Sequence, residues 1–292
     1  MAWRVYRVAY ELRSPLHVGY HKIGNVQRTR YYVPARNIWG AITEKLTRAG
    51  FTASGVAEGD YVAIGEWVRQ HCAFSYWFFH AGEQLLFPSF QTTGVLYGHL
   101  TESVFTQRYL SAHVTTALDA ATTSAELGSL HEIEIIVPNE GDDAHRLTLA
   151  GWIFLDDIAV CALGDESKWG RWLGDLQMGG ERRYGFGQVR LGKNGWQPQS
   201  DGRIFDRDKV RLGEDRPQVQ VTQGQPFLAH TLAQGVCASG AIEPLIGRET
   251  VRSDRFGGRL TGAQMCWIPG SICETTLWLE FTPGGTWKKA AV

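Results

Sequence analysis

Long apolar runs and paired cysteines are missing from this sequence of 292 residues. No apolar run approaches the roughly 18 residues that a membrane-spanning helix needs, so we expect a soluble, cytoplasmic chain with no membrane partner. The cysteines are odd in number, widely spaced and without a C-x-x-C pair. Neither a disulfide framework nor a zinc site is therefore predicted, and we expect no metal and no cofactor. The cysteines are Cys72, Cys161, Cys237, Cys266 and Cys273.

Net charge is also nearly absent, since 29 Lys and Arg stand against 30 Asp and Glu. The charge is uneven along the chain, however. Residues 1–48 carry 9 basic and 2 acidic residues, residues 49–180 carry 5 and 17, and residues 181–292 carry 15 and 11. Such asymmetry is typical of a basic face that binds a polyanion, and equally of pairing within the chain. Charge alone leaves these two interpretations open.

Glycine and aromatic residues, by contrast, are plentiful. The chain has 34 Gly, 11 Trp, 10 Tyr and 13 Phe, and 43% of it is hydrophobic. This is the composition of a globular protein rather than a disordered one. Many glycines imply many backbone positions with positive φ or close approach. We therefore expect a fold with many loops and short strands.

The first 50 residues predict a strand, a basic loop, a second strand and a helix. Alternating apolar and polar residues predict a strand over Trp3 to Leu12. Residues 19–30 form the basic loop, and Tyr31 to Val33 predict a short strand. A helix is expected over Ile38 to Ala49, with Asn37 as its N-cap.

The rest of the first 190 residues alternates apolar runs with polar turns. An apolar run of four to eight residues favours a buried strand, and clean alternation favours a half-buried one. The predicted elements are a buried strand over Phe74 to Phe79, a projecting hairpin or loop within 108–130, strands over Leu130 to Val137 and Leu147 to Leu155 around an acidic turn at 139–143, and a helix beginning at Trp169.

The glycine-rich segment 179–191, with the sequence GGERRYGFGQVRL, is the most informative stretch. Glycines allow a backbone to approach a phosphate, arginines neutralise its charge, and aromatic rings stack on bases. Arg182, Arg183, Tyr184 and Phe186 are therefore candidates for contact with single-stranded nucleic acid. The same pattern fits a tight connection into the following strand, with Tyr184 and Phe186 packed in the core.

Four parts of the chain carry a resemblance to a known family. They are Ser14–Gly19 with Arg28–Ile42; Val114–Asp119 with Gly128–Glu134; Gly179–Val189; and Ser239–Glu249 with Cys266–Ser271. In this order they resemble the motifs of the RAMP superfamily, the repeat-associated mysterious proteins that build CRISPR RNA-guided effector complexes. The last pair is similar to the type III-D branch of type III systems. Ala35 and Arg36 depart from the family, which usually has Gly and Ser there.

The resemblance implies an α+β chain with a ferredoxin-like, RNA-recognition-motif-like domain. That domain would span residues 1–195 and carry an acidic insertion with a hairpin or thumb. A smaller, RAMP-like subdomain would occupy residues 196–292. The implied partners are CRISPR RNA, neighbouring RAMP subunits and the large subunit of the effector complex, with target RNA reached only indirectly.

The resemblance also bears on catalysis. Backbone-like subunits of the family carry a catalytic Asp in the first basic loop, but this sequence has no acidic residue between Glu11 and Glu44. This favours a non-catalytic subunit that grips the repeat-derived 5′ handle of the guide. One alternative is an RNA endonuclease, which would use Asp119 with a metal ion or a histidine as general acid and base. The other is a docking subunit without RNA contact.

Chemistry and resemblance together give a set of candidate residues. Those predicted to contact RNA are His21, Lys22, Arg28 and Arg30 in the basic loop, Arg36 and Asn37 at the helix start, Arg182, Arg183, Tyr184 and Phe186 in the glycine-rich segment, and Arg248, Arg252 and Arg255. The amides of a helix start favour an anion. The last three arginines are weaker candidates, since a solvated basic face is the more frequent explanation of such spacing. The histidines considered for RNA cleavage are His17, His21 and His113.

Overall fold

The structure is a computed structural model that describes residues 2–82, 84–126, 128–139, 146–164, 169–213, 215–252 and 254–291. Its elements up to residue 198 are β1 Trp3–Leu12, β2 Gly19–Ile23, β3 Val26–Thr29, α1 Ala35–Arg48, α2 Tyr61–His71, β4 Cys72–Phe74, β5 Phe78–Ala81, β6 Gln84–Leu85, β7 Pro88–Gln91, β8 Gly94–Tyr97, β9 Leu100–Thr101, α3 Glu102–Tyr109, β10 Leu110–Thr115, β11 His131–Ile136, β12 Thr148–Asp156, α4 Asp157–Leu163, α5 Trp169–Leu173, β13 Asp175–Gln177 and β14 Gln188–Pro198. The α+β prediction is confirmed.

The central sheet is built around β1. This strand pairs antiparallel with β12 on one side and with β14 on the other. β12 in turn pairs with β4 and β5, so the sheet runs β13-β14-β1-β12-β5-β6. β12 is buried at every position after its first residue, as expected for a strand covered on both faces. The predicted strands over β1, β11 and β12 are confirmed.

Helix α1 packs against the central sheet through Ile38, Ile42 and Leu46, which are spaced for one buried face. The predicted helix start was wrong, because α1 begins at Ala35 and Pro34 is its N-cap. Pro34 has the extended backbone of an N-cap, with φ −62° and ψ 147°, and Ala35 and Arg36 are good helix formers. Asn37 consequently lies inside the first turn, where its N–H donates to the Pro34 carbonyl over 2.9 Å.

The basic loop predicted at 19–30 is instead the β-hairpin β2-β3, with Gly24 at its turn at a φ of 58°. β3 also pairs in parallel with β11, giving a four-stranded sheet in the order β10-β11-β3-β2. The strand predicted over Tyr31 to Val33 is wrong. Only an isolated bridge from Val33 to Trp77 forms there, and the tyrosines pack against other rings.

The aromatic run at 74–79 is buried, as predicted, but it is interrupted. β4 ends at Phe74 and β5 begins at Phe78, leaving Trp77 fully buried between them. Opposite it, a Cβ on Gly151 would lie 2.0 Å from Cδ1 of Trp77. The glycine in β12 is therefore what makes room for the indole.

A projecting hairpin or loop is predicted within 108–130. There the chain forms β10 and then a connection to β11, which pairs antiparallel with β10. A short helix does begin at Trp169, but α5 ends at Leu173 and β13 follows. Residues 140–143 of the predicted acidic turn lie outside the described residues. Nowhere in the described ranges is a helix long and apolar enough to cross a membrane.

The C-terminal strands that the structure describes pair with one another and not with the central sheet. They are β15 Arg203–Ile204, β16 Asp208–Arg211, β17 Gln218–Val221, β18 Thr231–Leu232, β19 Ala238–Ser239, β20 Ile242–Leu245, β21 Arg248–Glu249, β22 Arg259–Leu260, β23 Gln264–Trp267, β24 Ile272–Cys273, β25 Leu277–Phe281 and β26 Trp287–Lys289. Eight of these described strands pair in the order β15-β16-β17-β25-β26-β18-β23-β20. Phe205 packs on Trp152 with ring centroids 4.6 Å apart, and Phe281 packs on Phe154 at 4.9 Å. These rings join the C-terminal sheet to the central one.

Candidate nucleic-acid interface

A groove of about 830 Å³ lies between the hairpin β2-β3, the start of α1 and strand β20. We call it the hairpin groove. Four of the predicted RNA-contacting residues line it, namely His21 on β2, Arg30 directly after β3, and Arg36 and Asn37 in α1. The C-terminal sheet supplies the opposite wall through β20 and residues 261–264.

Arg30 is held firmly in the hairpin groove. Its Nη2 donates to Oε1 of Glu243 over 2.6 Å and its Nη1 to the Tyr32 hydroxyl over 2.9 Å. The guanidinium also lies over the ring of Tyr20, 4.6 Å from the centroid. Burial lowers the pKa of Arg30, but Tyr32 and Glu243 raise it more, so the net shift is upward. Arg30 is thus a permanently charged group with a partner of its own.

Glu243 also binds a buried histidine. His230 Nε2 lies 2.5 Å from Oε1 of Glu243, and its Nδ1 lies 2.7 Å from the Tyr76 hydroxyl. Burial lowers the pKa of His230, which favours the neutral ring. A proton on Nε2 satisfies both contacts, because Tyr76 then donates to Nδ1 and His230 donates to Glu243. Burial raises the pKa of Glu243, but His230 and Arg30 outweigh it and lower the pKa overall.

Two further arginines of the predicted set are paired in the same way. Nε of Arg28 donates to Oε2 of Glu134 over 3.0 Å, and its Nη2 to the Tyr31 hydroxyl over 2.8 Å. Arg36 donates to the Arg248 carbonyl over 2.8 Å and lies 3.6 Å from Glu249.

The carboxylates that pair with these arginines are the functional residues that sequence reasoning missed. Glu134, Glu243 and Glu249 come from β11, β20 and β21, more than 100 residues away from the basic segment. Counting charges near the basic segment cannot identify partners so distant in the sequence. All three nevertheless lie in the stretches that carry the family resemblance.

The glycine-rich segment is fastened to the chain that follows β1. The N–H of Gly180 donates to the His17 carbonyl over 2.8 Å, and that of Gly187 to the Pro15 carbonyl over 2.7 Å. A Cβ on Gly179 would lie 2.3 Å from the His17 oxygen, and one on Gly187 would lie 1.8 Å from the Met178 oxygen. These two glycines therefore serve close packing against the chain itself.

The side chains of this segment divide into packed and exposed ones. Phe186 is buried against Ile133 and Ile135, which leaves no ring face for a base, and Arg182 pairs with Glu44 at 3.2 Å. Arg183 and Tyr184 are exposed. Together with Gly179, Gly180, Glu181 and Arg182 they line an open cavity of about 600 Å³.

The remaining candidates are spread over two surfaces. His21 and Lys22 are exposed on β2. Arg252 pairs with Asp254 at 2.8 Å, whereas Arg183, Lys22 and Arg255 have no salt bridge to any residue in the described ranges. Arg248 reaches the Gly257 carbonyl over 3.3 Å.

The residues considered for catalysis have structural contacts. His17 is only 3% exposed, and its Nδ1 lies 2.7 Å from the Glu134 carbonyl oxygen. Asp119 accepts hydrogen bonds from the N–H groups of Ala121 and Thr122, and these bonds lower the pKa of its carboxyl group. His113 is exposed, with its ring edge-on to Phe186 at 5.5 Å. Among the described residues, no three His, Cys, Asp or Glu side chains cluster as metal ligands do.

Comparison with known proteins gives a structural likeness only. No protein-family model and no curated protein sequence matches the chain. A chain in the cryo-EM structure of the type III-B Cmr-beta bound to cognate target RNA and AMPPnP superimposes with a TM-score of 0.53 and 11% identity, over 92% of this chain and 85% of that one. The structure bound to cognate target RNA alone gives 0.51 and 12%, over 91% and 86%. This chain shares their fold.

The likeness extends over nearly the whole molecule. Because it covers more than nine-tenths of this chain, it takes in both the central sheet and the C-terminal sheet. The hairpin groove lies where elements of both sheets meet. The groove is therefore a feature of the complete fold rather than of either part.

Proposed function

We propose that the protein is a non-catalytic, RNA-binding subunit of a type III CRISPR effector ribonucleoprotein. The observation that carries this proposal is the likeness, over nearly the whole chain, to a chain of the type III-B Cmr-beta bound to its target RNA. The sequence motifs, although short, resemble the RAMP superfamily of CRISPR effector subunits and support the same proposal. The type III-D branch, binding of the 5′ handle of CRISPR RNA, contact with neighbouring RAMP subunits and the large subunit, and a role in antiviral defence belong to this proposal.

The strand order supports the ferredoxin-like part of the proposal. The central sheet has four main strands, which in chain order are β1, β4 with β5, β12 and β14. Side by side in the sheet, they stand in the order fourth, first, third and second, and every neighbouring pair is antiparallel. Helices lie between the first and second strands and between the third and fourth. A βαββαβ chain with split βαβ units produces this arrangement. We accordingly propose residues 1–195 as the RAMP domain and residues 196–292 as a C-terminal subdomain, although β14 extends three residues past this boundary, to Pro198.

Charge placement supports binding of RNA phosphates at two surfaces. Lys22 and His21 are exposed on β2, and Arg183 is exposed beside Tyr184 in the glycine-rich segment. Lysine and arginine neutralise phosphates, and an exposed tyrosine ring can stack on a base. Asp119 and His17 are engaged in a turn and in packing, which supports a binding role over a cleaving one.

A gel-shift assay with end-labelled CRISPR repeat RNA, with and without Mg²⁺, tests the proposal. We expect a shifted band whose intensity falls with salt, because phosphate contacts release counterions. The RNA should stay at full length in both conditions. Arg183→Ala combined with Tyr184→Ala should weaken the shift. The matched control is Arg4→Ala, since Arg4 is an exposed arginine outside both surfaces.

Two outcomes would contradict the proposal. Absence of any shift would exclude RNA binding by the isolated chain. Shortened RNA would instead support the endonuclease alternative, with dependence on Mg²⁺ indicating Asp119 and independence of it indicating a histidine.

A further inference from the structure

A second cavity, of about 200 Å³, lies beside the hairpin groove. We call it the tyrosine cavity. Tyr20, Arg30 and Glu243 line both the groove and this cavity. These three side chains therefore stand where the two spaces adjoin. A nucleotide of a strand bound in the groove would lie next to the cavity.

The walls of the tyrosine cavity suit a flat aromatic ligand. Several of its residues have rings of their own: Tyr20, Tyr31, Tyr32, Phe90 and Tyr97. Tyr20 is the accessible one, since 49% of its surface is exposed and Arg30 covers one part of the ring. Proteins that recognise single-stranded RNA stack unpaired bases on such rings and on guanidinium planes.

The polar groups of the cavity include two carboxylates, Glu243 and Glu102. Oε1 of Glu243 is used by both Arg30 and His230. Its Oε2 makes no hydrogen bond within the part of the chain that the structure describes. Arg30 and His230 hold the group ionised, and an ionised carboxylate only accepts hydrogen bonds. The cavity thus selects a ligand edge that carries donors.

Among the four RNA bases, guanine meets this requirement best. Its Watson–Crick edge carries two adjacent donors, the N1–H and the 2-amino group. Adenine and cytosine each place a ring-nitrogen acceptor beside the amino group on that edge, and uracil flanks its one donor with two carbonyl oxygens. We propose that the tyrosine cavity binds one unstacked guanine of a bound RNA strand, stacked on Tyr20 with its donor edge on Oε2 of Glu243. This inference rests on the proposed RNA binding and adds base specificity to it.

Fluorescence anisotropy with three labelled RNA octamers tests the inference. Each octamer has seven uridines and one central guanosine, inosine or adenosine, so that inosine removes only the 2-amino group. We expect guanosine to bind about tenfold more tightly than adenosine, with inosine in between, as one good base-edge contact gives. The full-length protein is used throughout.

Two substitutions locate the preference. Glu243→Gln replaces an accepting oxygen by a donating amide of the same size, so the preference for guanosine should disappear. The matched control is Glu274→Gln, because Glu274 is exposed and lines neither the groove nor the cavity. Tyr20→Leu is a second variant that spares the Arg30–Glu243 pair. It should weaken guanosine binding several-fold through loss of stacking.

The outcomes separate this inference from the proposed function. Equal affinities for the three octamers would overturn the guanine site while leaving RNA binding intact. A preference that persists in Glu243→Gln would overturn it as well. Failure of every octamer to bind would contradict the proposed function itself.

Discussion

The hairpin groove and the glycine-rich segment are both rich in arginine, yet they use it differently. In and beside the groove, Arg28, Arg30 and Arg36 each lie within 3.6 Å of a carboxylate from a distant strand. In the glycine-rich segment, Arg182 pairs with Glu44 at 3.2 Å, but its neighbour Arg183 is exposed and has no such partner among the described residues. Arginine thus stabilises the fold in both regions, and the glycine-rich segment also keeps one arginine available to a ligand.

The presence or absence of a carboxylate partner therefore distinguishes the two kinds of arginine, although the residue type is the same. A paired and partly buried arginine is expensive to separate from its carboxylate, because the partner would then be a buried charge without compensation. An unpaired arginine at the surface loses only hydration when it meets a phosphate. If the protein binds RNA as proposed, we therefore expect the strongest phosphate contacts at Arg183 and Lys22.

The largest effect on stability is expected at Gly187 in the glycine-rich segment. Gly187→Ala would place a Cβ 1.8 Å from the Met178 oxygen at a φ of 77°, so the segment could not keep its position. We expect a loss of about 3–5 kcal/mol in the free energy of unfolding, measured by urea denaturation. Gly185→Ala is the matched control, because its φ is 82° but no described atom lies within 4 Å of the added Cβ. It should cost about 1–2 kcal/mol.

Removal of a carboxylate from the hairpin groove should have the next largest effect on stability. Glu243→Ala leaves Arg30 and His230 without their shared partner, and we expect a loss of about 2–3 kcal/mol in the free energy of unfolding. The control is Asp254→Ala, which breaks the exposed pair with Arg252 and should cost at most about 0.5 kcal/mol. Equal losses would mean that the groove pairs are ordinary surface pairs.

The buried histidine of the groove should make stability depend on pH. Its pKa is lower in the folded protein than the ordinary 6.5, so the folded state binds fewer protons than the unfolded state. Stability from His230 is therefore fully present above about pH 6.5 and is lost as the pH falls below it, by at most about 1.4 kcal/mol per pH unit. Denaturation curves between pH 7.5 and 5.5 should show this decline. A variant with His230→Gln should show a flatter one, and an unchanged slope would contradict the assignment.

The smallest effect on stability is expected in the connection between β10 and β11. Asp119 accepts hydrogen bonds from Ala121 and Thr122, which lower its pKa, so its contribution is present at neutral pH and is lost as the pH falls below about 4. Asp119→Ala should therefore lower the melting temperature slightly at pH 7 and leave RNA affinity unchanged. A loss of RNA cleavage in this variant, where the parent protein cleaves, would instead make Asp119 catalytic.

Local patterns predicted the strands better than they predicted the turns. The alternation in β1 and β11 and the apolar run of β12 depend only on which face is buried, and all three strands were found where expected. The start of α1 was misplaced, because a side-chain cap at Asn37 was preferred over an N-cap at Pro34. The basic loop became a hairpin because β3 pairs with β11, a contact that spans more than 100 residues.

The candidate site was predicted in part for the same reason. Residue type and spacing led to His21, Arg30 and Arg36, which the fold brings to one groove. They could not indicate which arginines were already paired, since Glu243 and Glu249 arrive from the C-terminal sheet. Nor could they show that Phe186 is packed against Ile133 while Tyr184 is exposed. Whether the predicted residues contact RNA stays a prediction.

The salt dependence of RNA affinity tests the central comparison most directly. The affinity for a single-stranded repeat RNA is measured for the parent protein, Arg183→Ala and Arg28→Ala. The salt concentration is varied from about 50 to about 300 mM, a range in which salt weakens binding through phosphate contacts. We predict that Arg183→Ala makes the negative slope of log K against log salt shallower by about 0.7, as loss of one phosphate contact does, whereas Arg28→Ala leaves it unchanged. A shallower slope for Arg28→Ala with an unchanged slope for Arg183→Ala would contradict the account.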